Sequence, residues 1–349
     1  MVRIIDRTVM IAEKVVGKDN PCFIIAEIGS NHNKDLTLAK KMIDAASEAK
    51  ADAVKFQLFK AENHYSKYSP RFSAHDKSPQ EVLKDLELPH DWLNELSEYA
   101  NRRSIVFFSS VTDNDDVDVL SVLNVPAYKL ASFEIVDLPL VKYVASKGKP
   151  IILATGLANL GEIEEAYNAC LEAGNEQVVL LQCASAYPAS PEIMNLRAMA
   201  TIKAAFPQAI VGLSDHTMGI HISAAAVALG AKVIEKHITL DRKMKGPDHA
   251  FSIMPEELAN LVGQIRDVEL AMGDGRKGLP TKDEMENYHK ARRSLHAGRD
   301  VKKGERLTRD MLVIKRPGYG IKPKHMDILI NRIVNKDVKA DEWITWDMI

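Results

Sequence analysis

Eight times between about residue 22 and residue 272 the sequence repeats one rhythm: a short apolar run, a turn or polar cluster, then a helical pattern. The runs are CFIIAEIG from Cys22, ADAVKFQLF from Ala51, IVFFSS from Ile105, AYKLAS from Ala127, PIILATG from Pro150, VVLLQCA from Val178, IVGLSD from Ile210 and KVIEKHIT from Lys232. They are rich in β-branched and aromatic residues, as strands buried on both faces should be. Between them lie helical stretches such as LTLAKKMIDAASEA and LGEIEEAYNACLEAG, several closed by the glycine favoured just past a helix end. Alternation at this pace requires parallel pairing with right-handed crossovers. Eight strands allow a closed (β/α)8 (TIM) barrel; a doubly wound open sheet is the competing arrangement. The α/β barrel is expected over residues 1–275, with its reactive groups at the carboxyl ends of the strands.

After AMGDG the pattern changes. Residues 276–292 are polar and basic without a strand pattern, and read as a linker or surface helix. Residues 293–349 offer short strands, a KKGE turn and a Pro-Gly-Tyr-Gly loop, which predicts a small β-rich domain.

Composition closes several functional classes. Lys plus Arg is 46 and Asp plus Glu is 48, too balanced for a protein that holds nucleic acid by bulk charge. No window approaches a membrane-spanning apolar run. The first residues, with Arg3, Asp6, Arg7, Glu13 and Lys14, lack the apolar core of a signal peptide, so a cytoplasmic location is expected. Three widely spaced cysteines, Cys22, Cys170 and Cys183, read as small core residues rather than a disulfide framework or zinc site.

Polar residues gather at the carboxyl ends of the predicted strands. Glu27 is followed by Asn31, His32 and Asn33; Lys55 and Gln57 share a face at i, i+2; Ser109 and Ser110 end strand three. Strand four brings Lys129 with Ser132 and Glu134, strand five Thr155 and Gly156, strand six Gln182, Ser185 and Tyr187. Strand seven ends in Ser214, Asp215 and His216, and strand eight carries Glu235 and His237. Any one of these is a cap or a solvated rim group. Six or more strands delivering such groups to one mouth is what a barrel enzyme requires.

His216 and His237 come from consecutive strands, roughly 5 Å apart when paired, so their imidazoles can converge on one cation. Two imidazoles without cysteine suit an octahedral ion completed by water and substrate oxygens better than zinc, hence Mn²⁺, or Mg²⁺. Lys55 and Lys129 inside the mouth call for an anion or an acidic partner, and Glu27 and Glu134 can neutralise them. With Ser110, Ser132, Ser185 and Ser214 as hydroxyl donors, they predict a phosphate and carboxylate site; a Schiff-base lysine is the rival.

The motifs AEIGSNHN, KFQ, YKLASFE, ATG, SAYPASP, GLSDHT, EKHITLDR and GPDHAFS, in this order and spacing, resemble the sialic acid synthase family, which includes the N-acetylneuraminate, pseudaminic and legionaminic acid synthases. The terminal SLHAGRDVKKGERLTRDMLVIKRPGYGI resembles that family's antifreeze-like (SAF) domain. The resemblance implies condensation of phosphoenolpyruvate with an N-acylated hexosamine, such as N-acetylmannosamine or a 2,4-diacetamido-trideoxyhexose, to a nine-carbon 2-keto sugar acid and phosphate. It implies that Lys55, Ser110, Lys129, Ser132, Ser185 and Ser214 hold phosphoenolpyruvate, that His216 and His237 hold the divalent ion, and that Glu27, Tyr187 and Asp248 contact the sugar. Glu134 and Gln57 are candidates for positioning the water that captures C2, with Glu27 as the alternative base. It further implies a domain-swapped homodimer in which Arg316 reaches the partner's sugar. Two departures stand out. Ala154-Thr155-Gly156 replaces Ser-Thr-Gly, which removes one phosphate donor or makes Thr155 its substitute. The stretch ENHYSKYSPRFSAHDKSPQEVL matches neither the sialic pattern nor the GLWD pattern of pseudaminic synthases. A phosphoenolpyruvate-dependent synthase of octulosonate or heptulosonate phosphates, and a non-catalytic carbohydrate-binding protein, are the competing functions.

Overall fold

The computed structural model describes residues 7–71 and 77–349, so Arg3, Asp6 and the centre of the ENHYSKYSPRFSAHDKSPQEVL stretch lie outside the described residues. The chain divides into two compact units, Met1–Gly273 and Asp274–Ile349.

The first unit opens with a hairpin that the apolar pattern did not announce, β1 (Val9–Ile11) paired antiparallel with β2 (Lys14–Val16). Three-residue strands offer barely one period of alternation, too little to stand out from a loop. Ile11 and Val16 are fully buried, and Lys14 pairs with Asp52, which also accepts the Ile24 N–H at 2.8 Å. The hairpin is thereby tied to residues at the amino ends of the barrel strands.

Eight parallel strands follow: β3 (Phe23–Gly29), β4 (Ala53–Gln57), β5 (Val106–Ser110), β6 (Tyr128–Leu130), β7 (Ile151–Ala154), β8 (Val178–Cys183), β9 (Ile210–Asp215) and β10 (Val233–His237). Each pairs with the next, and β10 pairs with β3, which closes a barrel and removes the open-sheet alternative. Closure explains the composition of the runs: β3 is buried along its whole length because its inner face meets the barrel core and its outer face meets helices. The helices are started by polar caps. Asp35 accepts from the Thr37 and Leu38 amides ahead of helix Leu36–Glu48, whose Leu38, Met42, Ile43 and Ala46 face inward at helical spacing. Asn159 and Glu162 form a capping box on helix Leu160–Glu172. Removing a fully buried side chain such as Met42 would cost about 2–5 kcal/mol through lost transfer energy and a residual cavity.

The second unit pairs β11 (Ser294–Ala297) antiparallel with β12 (Leu312–Lys315) and adds isolated bridges at Val301–Val338 and Arg306–Ile333. Its own core contains Leu295, Leu307, Leu329, Val334 and Ile344. The Pro-Gly-Tyr-Gly loop is constrained by packing: a Cβ on Gly320 would stand 2.8 Å from the Ile344 carbonyl and 2.9 Å from Ser294 Oγ. No helix among the described residues is long and apolar enough to cross a membrane.

Candidate active site

Strand register assembles the site. Glu27 aligns with both His237 and Lys55, Gln57 with Ser110, Ser110 with Lys129, and Ser214 with both Cys183 and Glu235. In-register residues of parallel neighbours point to the same side, so these groups share one surface. Glu27, Lys55, Gln57, Ser110, Lys129, Ser132, Glu134, Tyr187, Ser214, His216 and His237 line a single cavity at the carboxyl ends of the strands.

Its floor is a buried charge cluster. Lys55 Nζ lies 3.9 Å from Glu235 Oε2, and Lys129 Nζ lies 3.9 Å from Glu235 Oε1. Glu235 also accepts a 3.1 Å hydrogen bond from Ser214 Oγ. Burial pushes the Glu235 pKa up, but Lys129 and Lys55 outweigh it and hold the carboxylate ionised. Burial likewise disfavours the Lys55 cation, and Glu235 and Glu27 more than compensate. Glu27 is left with the weaker share: burial, reinforced by the Glu235 charge, raises its pKa to about 7 despite Lys55. Gln57 Nε2 donates to Glu27 Oε1 at 3.0 Å, while Glu27 Oε2 has no hydrogen-bond partner. Lys129 donates to the Leu130 carbonyl at 2.9 Å, and burial lowers its pKa. The sequence had placed Glu235 at a strand end without a role; its position two residues before His237 was the available signal.

The hydroxyls converge around Gly156. Its amide donates to Ser132 Oγ at 3.0 Å, and a Cβ there would stand 2.4 Å from Ser185 Oγ and 2.7 Å from Ser132 Oγ. Ser185 Oγ is buried without a hydrogen-bond partner, and so is Glu134 Oε2. Burial raises the Glu134 pKa. Thr155 does not join them. Its Oγ1 donates to the Leu181 carbonyl at 3.0 Å, and it lines an outer groove with Ala158 and Ile163. Strand alternation is the reason: Ala154 takes the inward position and Thr155 turns to the helix layer, so Thr155 does not replace the missing serine.

The imidazoles meet as expected, with ring centroids 5.4 Å apart. His216 Nδ1 bonds to the Ala184 carbonyl at 2.9 Å, which requires the proton on Nδ1, so in the neutral ring the lone pair is on Nε2. His237 Nδ1 is buried, has no hydrogen-bond partner and lies 3.6 Å from Asp248 Oδ2. Burial and the neighbouring cations keep His237 neutral, well below the ordinary histidine pKa, and burial raises Asp248 to about 6. At His216 burial disfavours the cation, but the Cys183 thiol and the Ala184 carbonyl more than offset it and raise the pKa, so a divalent cation there would displace the His216 proton, whereas neutral His237 offers its lone pair directly. Two imidazoles with one carboxylate near them would leave most ligands of an octahedral ion to come from outside the protein, and among the described residues no group of three or more His, Cys, Asp or Glu side chains is arranged to hold a metal ion by itself. Phe251, quoted in GPDHAFS but given no role, packs between the two sides: its ring lies 5.2 Å from His237 and 5.8 Å from Tyr187, whose own ring is 4.3 Å from His216.

Asn31, His32 and Asn33 brace the mouth rather than line it. Asn31 donates to the Ile238 carbonyl at 2.8 Å, His32 packs between Phe56 and Trp92, and Asn33 bonds His249 at 3.2 Å. Arg316 stands exposed on the second unit.

Comparison with known proteins follows the same lines. The NeuB family pattern matches residues 42–277, and the SAF domain pattern matches residues 292–349. The chain is 46% identical to the N,N'-diacetyllegionaminic acid synthase of Campylobacter jejuni, over 92% of this chain and 98% of the other. It is 39% identical to the human N-acetylneuraminate-9-phosphate synthase, over 96% and 94%. Among solved structures, the N-acetylneuraminic acid synthetase of Leptospira borgpetersenii superposes with a TM-score of 0.74 at 34% identity, covering 81% of this chain and 95% of that one.

Proposed function

Because the chain belongs to the NeuB family, we propose that it condenses phosphoenolpyruvate with an N-acylated hexosamine, giving a nine-carbon 2-keto sugar acid and inorganic phosphate. One observation carries this reading: two buried lysines, a serine cluster and two imidazoles face one cavity, a set matched to an anionic enol ester beside a polarised carbonyl. Lys55, Lys129, Ser110, Ser132, Ser185 and Ser214 hold the phosphate and carboxylate. As that anion binds, the lysines exchange part of their attraction to Glu27 and Glu235 for charge-assisted bonds to substrate.

Carbon–carbon bond formation comes first, C3 of phosphoenolpyruvate adding to the aldehyde carbon C1 of the open-chain sugar. Water then adds to the cationic C2, and the tetrahedral phosphate ester expels phosphate. Glu27 takes the proton from that water, since its pKa of about 7 lies near the working pH and Gln57 fixes its orientation. Glu134 stands as the second carboxylate, facing the same cavity. His216 and His237, with Asp248 beside them, would hold a divalent ion, Mn²⁺ or Mg²⁺. Such an ion supplies Lewis-acid polarisation of the aldehyde oxygen. Tyr187 and Asp248 contact the sugar. The small unit of a partner chain supplies Arg316 in a domain-swapped homodimer, which shields the enol ester from bulk water.

For the acceptor we favour a 2,4-diacetamido-trideoxyhexose over N-acetylmannosamine and over a sugar phosphate. The similarity to a diacetyllegionaminic acid synthase supports the second acetamido group. Phe59, Leu83 and Phe133 on the cavity wall suit methyl groups. Among the described residues the only Lys or Arg side chains lining the cavity are Lys55 and Lys129, which face Glu27 and Glu235, so a second phosphate finds no free cation. The test is phosphate release from phosphoenolpyruvate with Mn²⁺ across a panel of these sugars, arabinose 5-phosphate and erythrose 4-phosphate. Turnover with the diacetamido sugar supports the reading, and turnover confined to the sugar phosphates rejects it.

A further inference from the structure

A second buried ion pair sits on the opposite face of the two strands that deliver the imidazoles. Lys236 on β10 is in register with Asp215 on β9, one step beyond the inward pair Glu235 and Ser214. Lys236 Nζ lies 2.9 Å from Asp215 Oδ2, with side chains 1% and 0% exposed. Alternation turns this pair into the helix layer, between the inward positions of Ser214 and Glu235 and those of His216 and His237.

The carboxylate is fully used. Oδ1 accepts the Thr217 amide at 2.8 Å and the Thr217 hydroxyl at 2.7 Å, and Oδ2 accepts Ser223 Oγ at 2.6 Å. Lys236 Nζ donates to the Thr217 carbonyl at 2.5 Å. Thr217 is therefore gripped at its N–H, its hydroxyl and its carbonyl, and Asp215 and Thr217 flank His216 on both sides. The lysine that closes the grip is the residue before His237. Burying two charges in a dry layer costs more desolvation than an apolar pair of similar volume, so packing alone gives no reason for them.

We propose that Asp215 and Lys236 are positioning residues: their ion pair locks β9 to β10 at the level of His216 and His237, sets the separation of the two imidazoles, and so sets the affinity of the divalent-ion site. The inference rests on the reading of those histidines as ion ligands.

Mn²⁺ binding to the full-length protein, followed through the electron paramagnetic resonance signal of free Mn²⁺, tests it without turnover. The variants are Asp215→Asn, the apolar pair Asp215→Leu with Lys236→Met, and Thr217→Val, which removes one bond to Asp215 and uncovers no charge. Asp215→Asn and the apolar pair should weaken Mn²⁺ binding about 10- to 100-fold, the range found when groups that orient metal ligands are lost. Thr217→Val should weaken it less, in the same direction. Thermal unfolding of the apolar pair should stay near that of the parent protein, which separates positioning from general stability. Parent-like Mn²⁺ affinity in a folded apolar pair, or in Thr217→Val if the pair does not fold, overturns the proposal. A parent protein that takes up no Mn²⁺ overturns the ion-site reading itself, and the role of the pair with it.

Discussion

Nζ of Lys55 lies 2.7 Å from Oε1 of Glu27, and the two side chains are 3% and 1% exposed. They are register partners on β3 and β4, so the first two barrel strands present a buried cation and its carboxylate side by side at the base of the cavity. Another anion that takes the lysine would free this carboxylate, and that makes the pair responsive to substrate.

The raised pKa of Glu27 gives a signed pH dependence. Its folded value of about 7 lies above the ordinary 4.5, so the folded protein holds this proton more tightly between those values. The stabilising contribution is fully present below about pH 4.5 and is lost as pH rises through 7. Denaturation midpoints of the parent protein should therefore fall relative to those of Glu27→Gln across that window. A constant difference between the two would show that Glu27 is not held protonated.

The same group should shape turnover. kcat/KM should rise with pH through a limb near 7 that Glu134→Gln retains and Glu27→Gln abolishes. Loss of the limb in Glu134→Gln alone would transfer the base to Glu134.

Gly156→Ala should raise KM for phosphoenolpyruvate about 10- to 100-fold, because its Cβ displaces two hydroxyls, each hydrogen bond to a charged group being worth about 1.5–3 kcal/mol. Far-ultraviolet circular dichroism should stay unchanged. Normal KM in this variant would separate Ser132 and Ser185 from the substrate.

Ala154→Ser and Thr155→Val should behave oppositely. The first adds an inward hydroxyl and should lower KM for phosphoenolpyruvate. The second removes a bond to the Leu181 carbonyl and should cost about 1 kcal/mol of stability with KM unmoved. Steady-state kinetics with urea titrations distinguish them, and a raised KM in Thr155→Val would place that hydroxyl on substrate.

His237→Ala should abolish Mn²⁺-dependent turnover while leaving the fold intact. Arg316→Ala should raise KM for the sugar and spare that for phosphoenolpyruvate. Undiminished activity in the first would remove the ion from His237, and an unchanged sugar KM in the second would remove Arg316 from the site.

The barrel was legible because a strand buried on both faces has to be apolar throughout, so the polar residues ending β3, β4, β9 and β10 stood out against it. What the sequence hid depended on facing. Thr155 and Ala154 are adjacent, and only the pleat decides which one meets the cavity. Glu235 was visible, but its span between Lys55 and Lys129 is a relation among three strands. Lys236 carries no signal of its own in KVIEKHIT, and only register sets it against Asp215. Phe251 is brought to the imidazoles by chain folding that no local period encodes.

The central claim is most directly tested by following the bridging oxygen of phosphoenolpyruvate, labelled with ¹⁸O, during incubation with the protein, Mn²⁺ and 2,4-diacetamido-2,4,6-trideoxymannose. Attack by water at C2 and expulsion of phosphate predict a nine-carbon 2-keto acid, with the label recovered in inorganic phosphate. Label retained in the organic product, or no phosphate formed with any N-acylated hexosamine, would contradict it.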